Sequence, residues 1–154
     1  MNESLKDVKK FHDTFQVPTL TKPQIPSKDR SDLRITLLQE ELDEIKEAIK
    51  NNDVVEILDG LCDLLYILNG TVLEFGMGDV FDKAFSEVQK SNMSKTCDSM
   101  QEAILTLAHY KRKDGTEGYY KESNGKYIVY RNTDNKVLKS INYKPVDFTD
   151  ILNG

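Results

Sequence analysis

The stretch from Val54 to Phe75 constrains the fold of this chain more than any other. With Val54 at zero and about 100° per residue, Asp59, Asp63 and Glu56 fall at about 140°, 180° and 200°. Nearly all of the remaining circumference is apolar, supplied by Val55, Leu58, Leu61, Leu64, Leu65 and Leu68 among others. A helix with that pattern is expected to be buried on most sides and to carry its acids on one narrow stripe. No Lys or Arg occurs between Asn51 and Phe81, so no base on this helix offsets the stripe. Like charges three and four residues apart repel, costing roughly 0.2–0.5 kcal/mol per pair, and something has to compensate.

The segment before it predicts a partner. A helix is expected from about Asp32 to Lys50, with Ser31 as its N-cap, followed by a tight turn at Asn51-Asn52-Asp53. So short a connection implies antiparallel packing of the two helices. With Leu37 at zero, the apolar residues Leu37, Leu38, Leu42, Ile45, Ala48 and Ile49 fill an arc of about 140°. Glu41 falls inside that arc at about 40°, Glu44 on its border at about −20°, and Glu40 at about −60°. Asp43, Lys46, Glu47 and Lys50 take the solvated side. A carboxylate aimed at a core is costly unless a counter-charge offsets its desolvation. Antiparallel packing carries Glu41 and Glu44 toward Asp59 and Asp63. The result is an oxygen-only cluster, because His12 and His109 lie elsewhere. Such donors favour Mg²⁺ or Mn²⁺ over zinc, and the Glu-x-x-His pairs of a di-iron bundle are missing. One Glu-x-x-Glu on a helix is ordinarily a solvated face. Two facing stripes, one of them on an otherwise apolar helix, point to a metal.

At 154 residues the chain suits a single domain. A helical core is expected over about 1–110, and a hairpin-containing tail over about 111–154. A net charge of −5 argues against a nucleic-acid polymer as partner. From Leu37 to Phe75 ten acids face two bases, whereas from His109 onward nine bases face six acids. Cys62 and Cys97 have no metal or redox spacing and are expected to be reduced. The N-terminus lacks a signal-peptide pattern, and the Ile57–Leu73 run is too short and too charged to span a bilayer. A soluble, cytoplasmic protein without a membrane partner is therefore expected. Elsewhere the spacing of Leu5, Val8, Phe11, His12 and Phe15 predicts a short first helix. The prolines at 18, 23 and 26 mark a connector. Helices are further expected over about Val80–Gln89 and Ser99–Tyr110. Asn124-Gly125 between two β-prone runs predicts a hairpin over 118–131.

Three pieces of sequence carry a resemblance. They are Glu40-Glu41-Leu42-Asp43-Glu44, the run from Asp59 to Tyr66, and Ser91-Asn92-Met93-Ser94-Lys95. Together and in this order they resemble the MazG-like all-α NTP pyrophosphatase superfamily, near its phosphoribosyl-ATP pyrophosphatase-like branch. The tail, Lys136 to Lys139 with Tyr143 and Pro145, is similar to that of some members. The resemblance implies a mostly α, MazG-like helical bundle with a small C-terminal β-hairpin appendage. It implies Mg²⁺-dependent hydrolysis of a (d)NTP to (d)NMP and pyrophosphate, with Mn²⁺ as a substitute. Glu41, Glu44, Asp59 and Asp63 would hold metal, Glu40 would orient the water, and Asn92, Lys95 and Arg34 would contact the substrate. Arg34 has a second reading, as the partner of a nearby carboxylate. The family's second motif is usually Glu-x-x-Asp, and counting from Glu44 places its Glu at Gly60, which has no ligating side chain. Asp59 substitutes there, or Glu56-x-x-Asp59 supplies another register. The alternatives are a narrower pyrophosphatase, for one dNTP or for a phosphoribosyl-ATP-like substrate, and a non-catalytic nucleotide- or metal-binding regulator. Family members are oligomers, and a homodimer or homotetramer is expected.

Overall fold

A computed structural model describes residues 1–153. The protein is mostly helical, with a two-stranded antiparallel hairpin toward its C-terminus. The chain divides into two compact units, Met1–Lys83 and Ala84–Gly154.

The first unit is built on α1 (Glu3–Phe15), α2 (Lys28–Lys50) and α3 (Val54–Glu74). Asn2 caps α1 by accepting from the Leu5 N–H at 2.9 Å, and Leu5, Val8 and His12 form its buried face. The proline-bearing connector is held to α3 by main-chain bonds, Leu20 N–H to Leu73 C=O and Gln24 N–H to Phe75 C=O, each 3.1 Å. Helix α2 begins at Lys28, a turn before the expected Asp32, and Ser27 rather than Ser31 stands at its N-cap. Ser31 instead turns its hydroxyl to the Pro26 carbonyl. At the next turn Asp53 accepts from the Val55 and Glu56 N–H groups, both at 3.1 Å, which starts α3 sharply. Helices α2 and α3 approach closely where α3 has no side chain. A Cβ on Gly60 would lie 2.7 Å from Ile45 Cγ1. The core joins Leu5 and Val8 to Val72 and Leu73, with Met77 and Phe81 against them. Gly76, at φ +68°, ends the run, and a Cβ there would stand 2.0 Å from the Lys22 carbonyl oxygen. Helix α3 is less buried than its pattern predicts: Val54 and Val55 are each 75% exposed and Leu58 is 64% exposed.

Helix α4 (Phe81–Met93) runs four residues past the expected end because Ser91 is buried and hydrogen-bonded. In the second unit, Ser99 caps α5 (Met100–Asp114) through the Glu102 N–H, and Gly115, at φ +75°, closes it. The hairpin pairs β1 (Gly118–Ser123) with β2 (Lys126–Arg131), placing Tyr119 opposite Tyr130 and Ser123 opposite Lys126. Asn124 and Gly125 both have positive φ, as a two-residue turn between twisted strands requires. Cys97, Ala103, Val129 and Leu138 make this unit's core, with Tyr120 and Tyr127 packed on it. Helix α5 thus shares its core with the hairpin. A short α6 (Thr149–Asn153), absent from the sequence expectation, comes last.

Candidate metal centre on α2 and α3

Glu40, Glu41 and Glu44 project from α2, and Asp59 and Asp63 from α3. Glu41 is half-buried, whereas the other four are exposed. The second carboxylate oxygen of Glu41, Oε2, is shut off from solvent and has no hydrogen-bond partner. Burial, and then the charges of Glu44, Asp63, Glu40 and Asp59, push the Glu41 carboxyl above its ordinary value. Asp59 and Asp63 thus both act on Glu41 from the facing helix. Glu56 stands in the first turn of α3, where Asp53 holds its N–H. The two α2 lysines nearest these acids are spent on other carboxylates, Lys46 on Asp43 at 2.7 Å and Lys50 on Glu47 at 3.2 Å. Among the described residues, none of the five acids forms a salt bridge. As the side chains stand, no three His, Cys, Asp or Glu groups among the described residues are close enough to share one ion. What the arrangement offers is a concentration of hard oxygen donors around a desolvated, unpartnered carboxylate.

Gly60 does not face that cluster. Its bare Cα lets Ile45 pack against α3, so the position expected to carry a motif Glu is occupied by a helix contact.

Arg34 takes the second of its two sequence readings. It is 6% exposed, and its Nε donates to Glu74 Oε1 at 2.6 Å, with Nη2 on the same oxygen. Arg30 completes a fork on Glu74, at 2.8 Å from Nε to Oε2 and 2.5 Å from Nη2 to Oε1. Burial would raise Glu74, but the hydrogen bonds and charges of Arg30 and Arg34 outweigh it and hold the carboxyl below its ordinary value. His12 lies beside this group, its Nδ1 at 3.2 Å from the Pro18 carbonyl, and burial pushes its imidazole down. Sequence reasoning missed Glu74 and Arg30. The available signal was Arg30 and Arg34 one turn apart on one helix face, with a lone acid ending an apolar helix.

In the second unit, Asn92 is exposed and Lys95 half-buried, and Lys95 Nζ donates to Asn92 Oδ1 at 2.7 Å. Among the described residues no helix is long and apolar enough to cross a membrane.

Residues 8–92 match the phosphoribosyl-ATP pyrophosphohydrolase family, which lies within the MazG-like all-α superfamily. A relative in Acanthamoeba polyphaga mimivirus, "Uncharacterized protein L479", is 31% identical over 126 residues, covering 65% of this chain and 50% of its own. The chain spans about half the length of that curated relative. The match takes in α2, α3 and the acids on both, and by it the chain belongs to the phosphoribosyl-ATP pyrophosphohydrolase family.

Proposed function

We propose that the protein is a divalent-metal-dependent pyrophosphohydrolase that converts a (d)NTP to (d)NMP and pyrophosphate. The observation that carries this reading is Glu41, half-buried, with one oxygen unpartnered and four other carboxylates acting on it. Such a group is costly in the free protein and is relieved by a cation. The donor set is all oxygen, which suits Mg²⁺, with Mn²⁺ as its substitute. Glu41, Glu44, Asp59 and Asp63 would hold it. A bound Mg²⁺ would polarise phosphate oxygens and make a water easier to deprotonate.

Glu40, exposed beside this set, would take the proton from the attacking water as it adds to phosphorus. The bond between the α and β phosphates breaks, and pyrophosphate leaves with the electron pair. Arg34, occupied by Glu74, is withdrawn from substrate contact. A narrower phosphoribosyl-ATP-like substrate is the second reading, favoured by the family matched.

The test is pyrophosphate release from a panel of canonical and modified (d)NTPs and phosphoribosyl-ATP, with Mg²⁺, Mn²⁺ or EDTA. The expected result is release with either metal, none in EDTA, and at least a ~100-fold loss in Glu41→Gln and in Asp63→Asn. Release that persists in EDTA, or in both variants, refutes the metal assignment. Silence across the panel while Mg²⁺ still raises the melting temperature points to a binding regulator.

The exposed apolar side chains of α2 and α3, such as Ile49, Val54, Val55, Leu58 and Leu61, further support assembly into a homodimer or homotetramer.

A further inference from the structure

The turn that ends α4 and the segment 139–144 are joined by main chain and side chains alike. The Ser140 N–H donates to the Lys95 carbonyl at 3.1 Å, and the Lys144 N–H donates to Ser94 Oγ at 3.0 Å. The buried Ser91 hydroxyl has two acceptors within reach, the Lys144 carbonyl at 2.9 Å and the Tyr143 hydroxyl at 3.0 Å. This framework sets two ammonium groups around one phenol. Lys139 Nζ stands 4.2 Å from the Tyr143 ring centroid. The hydrogen bond from Ser91, then the charges of Lys139 and Lys95, hold the Tyr143 hydroxyl below its ordinary value. Because Lys95 occupies Asn92 Oδ1, the two N–H groups of the Asn92 amide remain as donors.

What this cluster lacks is a counter-charge. Six lysines within helices pair with an acid three or four positions away, Lys6, Lys9, Lys28, Lys46, Lys50 and Lys90, whereas Lys95 and Lys139 stand outside the helices. Among the described residues, neither Lys95 nor Lys139 forms a salt bridge. The acids that touch this segment already have partners. Glu102 accepts from Ser140 Oγ and from the Asp98 N–H at 2.9 Å, and Asp98 pairs with Lys126 at 2.5 Å. Two cations carried on segments that hydrogen-bond to each other, and neither of them in a salt bridge among the described residues, suit an anion bearing more than one charge.

We propose that Asn92, Lys95, Lys139 and Tyr143 form an oligophosphate-binding site that takes pyrophosphate or the polyphosphate group of a nucleotide. The inference rests on the pyrophosphohydrolase reading and deepens it, assigning a binding role to Lys139 and Tyr143, which lie beyond the residues matched to the family. Compact ammonium charges with hydroxyl and amide donors suit phosphate oxygens.

The test is calorimetric titration of inorganic pyrophosphate into the full chain in EDTA, so that the carboxylate cluster plays no part. Wild type is expected to bind, with Lys139→Met and Tyr143→Phe each weakening binding about tenfold. The second variant keeps the ring beneath Lys139 and removes only the hydroxyl. Lys113→Met, which removes the same charge from the end of α5, is expected to bind as wild type does. Lys139 is exposed, so its loss spares the core. Absence of binding by wild type at millimolar pyrophosphate overturns the site. So does equal binding in wild type, Lys139→Met and Tyr143→Phe, even where nucleotides are hydrolysed. Binding lost in those two variants, in a protein that hydrolyses no nucleotide, upholds the site and overturns the enzyme reading instead.

Discussion

Glu74 keeps its charge in a place closed to water because two guanidinium groups meet it there. Breaking such a pair leaves an uncompensated ion, and Glu74→Gln is expected to cost about 3–5 kcal/mol at neutral pH. The same site sets an acid profile. The folded value of Glu74 lies below its unfolded one, so its contribution is present above the ordinary carboxylate range and is lost as pH falls through the folded value. His12 is also depressed, and its contribution is present above 6.5, its ordinary value, and lost as pH falls below that. The melting temperature is therefore expected to hold from pH 8 to 7, to decline below about pH 6.5, and to fall more steeply in the carboxylate range. His12→Gln should remove the first decline and leave the second. A wild-type melting temperature constant from pH 7 to 5 contradicts the role given to His12. The sequence offered a carboxylate partner as one reading of Arg34 but did not say which carboxylate. Arg34 showed only that it needed an anion, and the anion it found is 40 positions away on another helix. Glu41 was legible, because a carboxylate inside an apolar arc is a local anomaly that needs no tertiary information.

At the scale of the element, the pair α2 and α3 was the most readable part of the chain. The Asn51-Asn52-Asp53 turn fixed its antiparallel sense, and the turn exists because Asn52 accepts φ +54° while Asp53 caps α3. The start of α2 was misjudged, since Ser27 and Ser31 offer equivalent caps and only the path of the connector chooses between them. The extra length of α4 was hidden for a related reason: the partners of Ser91 come from Tyr143 and Lys144, on a distant segment. Gly60 read as a missing ligand, whereas its Cα is where α3 meets Ile45. Gly60→Ala gains about 1 kcal/mol of helix propensity but overpacks the contact by about 1–3 kcal/mol. We expect net destabilisation in the wild-type background and net stabilisation when Ile45 is Ala, read by denaturant titration of the four members of the cycle. Equal effects in both backgrounds would mean that Ile45 does not sense position 60.

Across the whole molecule, charge and apolar surface are unevenly shared. The first unit carries seventeen Asp and Glu against ten Lys and Arg, the second nine against eleven. The apolar residues left bare on α2 and α3 explain why a pattern that predicted deep burial is only partly satisfied by a single copy. Light scattering after size exclusion is expected to give a dimer or tetramer, shifted toward monomer by Val55→Glu with Leu58→Glu. A monomer for the wild type at micromolar concentration would leave these residues without a cover. In the first unit, the connector from 16 to 27 is fastened to the end of α3 through peptide groups, at Leu20 and Gln24, and almost any residue supplies those. Gly76 is where the fastening meets bare backbone, 2.0 Å from where a methyl would stand. Descendants of this gene are thus free to rewrite the spelling of the strap while inheriting one glycine unchanged, so the buckle, and not the belt, is what lineage would preserve.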